Sequence, residues 1–525
     1  MISADRRTAA TRIPTRTSVA MTAAVDDALC RHLVRDDGQE DLCLATYRPS
    51  TGLRRRTALL HQVHLPEPGE RYVHGNATIT GGYVLRVAAA AADRGDGIVV
   101  LHSHPRGRGW QQMSAPDHDT EGAYANLARE MTGQPLVGMT LAGHDGTWSA
   151  RHWDCGVGGE VAPTGCENVR VIGDHLRVSW DDAQVPPPGV QCTNVRSVTS
   201  WGARRHADVA RRSVLVVGLG SVGLDVAIRL AATGLTRIGL MDFDIVEAHN
   251  LDRLIGATAI DAWLRRSKIE LACRLLTDNA TNPSITVEGW ESSVCEPDGL
   301  AAALDYDQIF CCVDRPWPRA VLNLAAYSNF IPVIDGGIAI DTFDDGTGMR
   351  NATWRSHVLR PGRPCMSCNG QLDLGAVAAD RAGVLDDVAY IDGQRGRHGA
   401  DNATTSANVA LLSISAAASL LAQYVSLNIA PGGLGEPGPL QYLLSSHTLE
   451  HLDIASRPAC PVEAAVGRGD DATSLTGPHP AAQAQRHRHR VRHLGAGLRL
   501  MRHLDDVRHQ LRSRRIRRAH RRVRG

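Results

Sequence analysis

The sequence lacks an excess of either charge: Lys and Arg total 57 against 56 Asp and Glu. A balance this even gives no global electrostatic reason to expect nucleic acid as a partner. Aromatic residues are scarce at 4%, while Ala, Gly and Arg are abundant, the bias of a high-GC coding sequence. Twelve cysteines are present, mostly without paired spacing, which argues against a secreted disulfide framework. No apolar segment opens the chain; Met1 to about Ala24 is rich in Arg, Thr and Ala and reads as disordered rather than as a signal peptide, with Met21 an alternative start. Nor is there an unbroken apolar run of membrane length. Val409 to Leu427 comes nearest, but Ser413, Ser415, Ser419, Gln423 and Ser426 interrupt it, as in a buried helix. These absences together point to a soluble cytoplasmic protein with no membrane or nucleic-acid partner.

What is present calls for more than one core, since 525 residues exceed a single domain. From about Ala24 to Trp153, short apolar strands (Leu42–Tyr47, Thr57–Val63, Gly97–Leu101) alternate with polar turns around an Ala-rich helix, Tyr83 to Ala92. A looser stretch follows, with Pro186-Pro187-Pro188-Gly189 and some strand content. From Arg212 the pattern sharpens. Ser213-Val-Leu-Val-Val217 is apolar throughout, as a parallel strand buried on both faces should be. Strands are expected again at Arg237–Met241, Gln308–Val313 and Ile331–Ile334, and a helix at Val222–Thr233; this alternation predicts a doubly wound parallel sheet. The last stretch is crowded with Arg and His and reads as a disordered tail.

Gly218-Leu-Gly220-Ser-Val-Gly223 follows a strand and opens a helix, the setting in which glycines let backbone N–H groups approach a phosphate. Asp242 ends the next strand, where it can bind ribose hydroxyls. Asp244, Asn250, Arg253 and Lys268 follow, supplying polar contacts and positive charge for a triphosphate. Asp314 ends a further strand and can hold Mg²⁺ against the charge developing on pyrophosphate.

In this order the residues resemble the ThiF-type activating enzymes, which include ubiquitin-activating enzymes and the activators of sulfur-carrier proteins. The resemblance covers roughly Arg196 to Ile454 and implies ATP-dependent adenylation of the C-terminal glycine of a ubiquitin-fold partner, with release of pyrophosphate. It also implies a homodimer in which an upstream arginine, here Arg196, enters the partner's ATP site. Cys365-Met-Ser-Cys368, after Arg360-Pro-Gly-Arg-Pro364, resembles half of that family's structural zinc site. The second pair is missing, leaving Cys460 and a histidine to complete four ligands. Members that form a thioester carry a cysteine after this motif, yet none occurs from Asn369 to Ala459. Either Cys365 or Cys368 does that work, or the acyl-adenylate passes directly to an acceptor.

The N-terminal third has its own constellation. His102 and His104 lie two apart on an expected strand, so both imidazoles share a face and can bind one metal. Asp117, at a following helix start, completes a His₂Asp set with a fourth position open to water, and Ser114 offers a hydroxyl to a tetrahedral oxyanion. The pattern resembles the JAMM (MPN-type) metalloproteases, which hydrolyse bonds at the end of ubiquitin-like proteins, and covers roughly Asp26 to Trp153. Their general base is an early glutamate, and Glu40 has that context ahead of Glu67 and Glu70. The nine residues between His104 and Ser114 exceed that family's usual seven, and Gly107 and Gly109 make room for the extra loop.

The expected organisation is therefore a disordered 1–24, a JAMM-type α/β domain over 25–153, a linker over 154–195, a Rossmann-like ThiF-type domain over 196–455 and a disordered tail over 456–525. ATP, Mg²⁺ and Zn²⁺ are the implied cofactors. The implied partner is a ubiquitin-like protein, with a separate conjugating enzyme downstream, or alternatively a sulfur carrier feeding cofactor or metabolite synthesis.

Overall fold

Alternation along β6 (Gly97–His104) shows how the first sheet is built. Val99 and Leu101 face a cluster with Leu29 and Leu33 of the helix Ala23–Leu33, whereas Ile98 and Val100 face Tyr83, Val87, Ala125 and Ala128. The computed structural model describes residues 15–74, 76–155, 160–343, 348–386, 409–452 and 454–488. Residues 1–477 form one unit and 478–525 a second, of which only 478–488 are described.

The first sheet has nine strands in the order β11-β10-β1-β3-β2-β6-β7-β8-β9. They are β1 (Arg16–Thr22), β2 (Leu42–Thr51), β3 (Arg55–His64), β6, β7 (Leu136–Ala142), β8 (Thr147–Cys155), β9 (Val161–Gly165), β10 (Asn168–Ile172) and β11 (Leu176–Trp180); a hairpin, β4 (Arg71–His74) and β5 (Asn76–Ile79), stands apart. Two expectations are corrected here. The described part of the first 24 residues is no tail: β1 pairs with β3 and β10 on either side, and Val19, Ala20 and Met21 are fully buried. The supposed linker supplies β9, β10 and β11. The strand content expected at Val169–Ile172 and Leu176–Trp180 is β10 and β11, but these are members of the first sheet rather than of a linker, and β10 carries the fully buried Arg170.

The second sheet has eight strands, β14-β13-β12-β15-β16-β17-β18-β19. β14 (Thr286–Trp290), β13 (Arg237–Met241), β12 (Ser213–Val217), β15 (Gln308–Cys311) and β16 (Val333–Thr342) are parallel, and β17 (Met349–Leu359), β18 (Leu440–Leu443) and β19 (Thr448–His451) extend the sheet antiparallel. The chain leaves β12 in opposite directions toward β13 and β15, which creates the crevice at the strands' C-terminal ends where doubly wound sheets bind ligands. Among the described residues one helix, Ala410–Ile429, is long and apolar enough to cross a membrane; Ala416, Ala417, Leu420 and Leu427 are buried in the core over β16 and β17.

The first sheet docks on the opposite, N-terminal edge of the second. Arg55 is fully buried there, donating to Asp307 Oδ1 at 2.6 Å and to the carbonyls of Leu304 and Tyr306. Asp307 also takes Arg170 at 3.3 Å and the Ser213 amide at 2.9 Å. Ala20, Leu59, Ile172 and Leu176 of the first sheet share an apolar cluster with Val209, Val214 and Phe330. The expected tail joins this junction too: Asp470 accepts from the Thr51 amide at 2.8 Å and from its hydroxyl at 2.6 Å. Residues 456–477 are thus part of the packed unit, and the Arg/His-rich run beyond 488 lies outside the described residues.

Candidate functional site

Of the three glycines after β12, two meet separate demands. Gly218 has φ +89°, and a Cβ there would stand 2.7 Å from the Cys312 carbonyl oxygen. At Gly223 a Cβ would meet the Gly218 carbonyl oxygen at 1.9 Å, so any side chain would push the helix Ser221–Thr233 off its strand. Gly220, in contrast, faces open space. The turn leaves the helix N-terminus approachable by a phosphate, whose charge its N–H groups favour.

Around this turn the structure gathers most of the expected residues. Asp242 accepts from the Leu219 amide at 2.6 Å and the Asp244 amide at 2.7 Å, fixing the β13 end against the glycine turn. Lys268 Nζ lies 2.9 Å from Asp244 Oδ2, and its electrostatic neighbours include Asp242 and Asp314. Burial opposes the ammonium charge, but Asp242 and Asp244 outweigh it and raise its pKa. Asp314 is exposed just past β15. Asn250 and Arg253 are placed differently from expectation. The Asn250 side chain accepts from the Glu247 amide at 3.0 Å and shapes its turn; Arg253 donates to the His249 carbonyl and to Asp252. Arg196 is exposed on the short helix Val195–Trp201.

The cysteine site is assembled, with one correction. Cys365, Cys368 and Cys460 are buried with their sulfurs within 4.8 Å of one another, but among the described residues no histidine joins them. Cys365 and Cys460 sulfurs stand 3.6 Å apart, near the ~3.8 Å that tetrahedral zinc thiolates require. The Arg457 amide donates to Cys368 at 3.3 Å. Burial pushes Cys365 up to about 12, whereas for Cys460 the effect of burial is outweighed by the Glu463 and Val462 amides and by Cys368, which lower its pKa.

In the first sheet, His102 and His104 end β6 with their Nε2 atoms 3.2 Å apart, and Asp117 Oδ2 lies 3.8 and 4.0 Å from them. Ligands of a tetrahedral zinc at ~2.05 Å stand about 3.3 Å apart, so these donors fit that ion. The long His104–Ser114 loop returns Gln111, whose Oε1 meets His104 Nδ1 at 3.2 Å and leaves Nε2 facing Asp117 and His102. Burial pushes His102 down to about 4, keeping it neutral as a metal ligand must be. Ser114 caps the helix Ala115–Thr132, accepting from the Asp117 amide and donating its hydroxyl to Asp117 Oδ2 at 2.7 Å. That proton is directed at Asp117, so Ser114 here is a positioning residue rather than an open oxyanion donor. Glu40 is half-buried beside His104 and Asp117, and burial raises its pKa.

A family model described as ThiF matches residues 192–461, just over half of the chain. The chain belongs to the ThiF family. The molybdopterin-synthase adenylyltransferase of Escherichia coli is 29% identical over 140 residues, covering 25% of this chain and 55% of that protein. The adenylyltransferase and sulfurtransferase of Kluyveromyces lactis is 30% identical over 140 residues, 25% of this chain and 31% of its own. Ubiquitin-like modifier-activating enzyme 5 of Culex quinquefasciatus is 27% identical over 178 residues, 31% and 41% respectively. This chain therefore spans roughly a third to a half of the curated relatives it matches. Among solved structures, E. coli MccB with MccA-N7isoASN aligns at TM-score 0.41 and 18% identity, over 53% of this chain and 75% of that one.

Two features of the ThiF chain were not singled out from sequence. Arg319, on the helix Pro316–Ser328, donates to the Val313 carbonyl at 3.1 Å and so braces the residue before Asp314. Gln111 looked like an ordinary loop residue; only its return to His104 gives it a role.

Proposed function

We propose that this protein adenylates the C-terminal carboxylate of a ubiquitin-like or sulfur-carrier protein. The observation that carries the reading is the convergence of Gly218, Gly220, Gly223, Asp242, Lys268 and Asp314 on one crevice at the point where the strand order reverses. The names of the relatives, an adenylyltransferase for molybdopterin synthase and an activator of a ubiquitin-like modifier, favour this substrate class. A carboxylate oxygen of the carrier attacks the α-phosphorus of ATP; an acyl–phosphate bond forms, the α–β bridging bond breaks, and pyrophosphate leaves. Lys268, held charged, draws the phosphates, and the glycine-turn amides orient them. Asp314 is the residue that would hold Mg²⁺, which when bound supplies charge neutralisation on the leaving pyrophosphate. Asn250 keeps its turn in place through the Glu247 amide, and Arg253, on the same turn, is the further cation proposed for the phosphates.

After adenylation, the burial of Cys365 and Cys368 against Cys460 favours direct passage of the acyl-adenylate to an acceptor, a conjugating enzyme or a sulfur donor, over a thioester on either cysteine. Their geometry favours structural zinc, with the fourth ligand outside this trio. The exposed position of Arg196 suits entry into a second copy's site in a homodimer.

A second activity is supported by the convergence of His102, His104 and Asp117. We infer a JAMM-type hydrolase acting at the same carboxyl terminus. Zinc, when bound there, lowers the pKa of water and polarises a scissile carbonyl. Gln111 and Ser114 hold His104 and Asp117 in place, and Glu40 accepts the proton of the attacking water and returns it to the leaving amine.

The test of adenylation is ATP–pyrophosphate exchange with purified ubiquitin-fold carriers. Exchange is expected with a cognate carrier and a loss of about a hundredfold or more in Asp314→Ala; equal exchange by the variant would remove the proposed role of Asp314, and no exchange with any carrier would sink the reading.

A further inference from the structure

Glu40 belongs to no strand. β2 begins two residues later, at Leu42, which pairs antiparallel with His102 of β6. Counting back along that register sets Asp41 opposite Ser103 and Glu40 opposite His104. Opposed side chains share a face and faces alternate, so Glu40, His102 and His104 fall on one side of the sheet, Asp41 and Ser103 on the other. The Ser103 amide donates to the Asp41 carbonyl at 2.9 Å, but the Asp41 amide goes to Ser103 Oγ at 3.0 Å instead of completing the backbone exchange. Among the described residues, no backbone hydrogen bond then joins Glu40 to β6.

The Asp41 side chain supplies what the ladder does not. It is 1% exposed, and its carboxylate accepts from the Leu42 amide at 2.7 Å and from Arg71 Nη1 at 2.6 and 2.7 Å. Arg35 Nη1 stands at 3.3 Å and His32 Nε2 at 3.7 Å. A carboxylate taken this far from water needs such donors, since an unpaired buried charge is costly. Arg35 also donates to Asp37 at 2.9 Å, and Asp37 accepts from the Gln39 amide at 3.1 Å, so one guanidinium spans both flanks of Glu40. Arg71 arrives from another element, the hairpin β4–β5, which belongs to neither large sheet. Its single nitrogen bridges both Asp41 oxygens and holds that side chain in one rotamer.

We propose that Arg71 and Asp41 are positioning residues for Glu40: the hairpin arginine fixes the Asp41 carboxylate, and the fixed Asp41 carries the β2–β6 register far enough to hold Glu40 across from His104. The inference rests on the hydrolase reading and adds the groups that place its base. A general base works only within hydrogen-bond reach of the water it deprotonates, so a displacement of about 1 Å lowers turnover steeply. The metal ligands are untouched by such a displacement, because His102 and His104 are held on β6 and Asp117 by the cap of its own helix. Arg71 and Asp41 act through the backbone of Glu40.

The experiment uses the full chain loaded with zinc and a ubiquitin-fold carrier extended past its terminal Gly-Gly by a fluorescein-labelled peptide, whose release lowers the anisotropy. Arg71→Ala is expected to lower kcat by about ten- to a hundredfold. KM, zinc content by elemental analysis and melting temperature should stay at wild-type values. Arg71→Lys should recover part of the loss, because one nitrogen serves both Asp41 oxygens. Hydrogen exchange, read without substrate, should quicken at the Asp41 and Leu42 amides of Arg71→Ala while those of Val99, Val100 and Leu101 keep their protection. Full turnover in Arg71→Ala beside a crippled Glu40→Gln would overturn the proposal, and so would a loss of turnover that tracks a loss of zinc or of melting temperature. A wild type that releases no peptide, or a Glu40→Gln chain at full turnover, would instead strike the hydrolase reading, so the two failures are distinguishable.

Discussion

The three donors His102, His104 and Asp117 show how much a few atoms decide. Two imidazoles at 3.2 Å can share a proton or share a metal, and the carboxylate at 3.8 Å and 4.0 Å favours the metal. Wild-type protein is therefore expected to hold about one more zinc per chain than His104→Ala, measured by elemental analysis after dialysis against a weak chelator. Gln111→Ala should keep the zinc but bind it about ten- to a hundredfold more weakly, because the outer hydrogen bond orients the ring. Identical zinc content in wild type and His104→Ala would remove the hydrolase site. The residue pattern was legible because His-x-His and Ser-x-x-Asp need only local geometry, the pleat of a strand and a helix cap. Gln111 was not legible, since its role depends on the path of a loop that no periodicity encodes.

Elements were legible where a single rule governs them. Ser213–Val217 and Arg237–Met241 form the strands expected of them because both faces of the parallel sheet are buried and the sequence has only to be apolar. β1 escaped, and β10 and β11 were legible as strands but not as members of the first sheet, because burial there depends on paired charge: Arg170 is fully buried beside Asp307, and the sequence around it reads as a polar linker. The helix Ala410–Ile429 was expected to be buried, yet it is so on one side only. Leu411 and Ile414 are 79% and 48% exposed, with Ala418 and Ala422 continuing the stripe at helical spacing. An apolar stripe of this kind fits the proposed second copy. Leu411→Arg is expected to shift the sedimentation of the full chain from dimer to monomer without lowering its melting temperature; a wild-type chain that sediments as a monomer at micromolar concentration would retire the dimer.

Across the whole molecule, the junction between the sheets is set by charge as much as by apolar packing. Asp307 is fully buried; burial alone would raise its pKa, but Arg55, Arg170 and the Ser213 donors outweigh it and hold the carboxylate well below its ordinary range. A depressed carboxylate contributes stability that is present above the unfolded pKa of about 4 and is lost as pH falls toward the folded value. Denaturant melts at pH 7 should find Asp307→Asn weaker by about 3–5 kcal/mol, since Arg55 and Arg170 are left buried without their anion. Between roughly pH 5 and pH 2 the wild type should lose stability more steeply than the variant. Parallel acid curves for the two proteins would show that the ion pair does not hold the junction.

The same junction has a kinetic consequence. The first sheet sits beneath the N-terminal ends of β12 and β15, whereas ATP is proposed to enter above their C-terminal ends, with roughly 15 Å of strand between. On the proposed reading, a carrier trimmed at the His102 centre would let go before the adenylation site charges it. The two proposed reactions would then be coupled through the dissolved pool of carrier: charging that starts from an untrimmed precursor is expected to begin with a lag, and a competitor for the trimmed terminus to intercept it in solution.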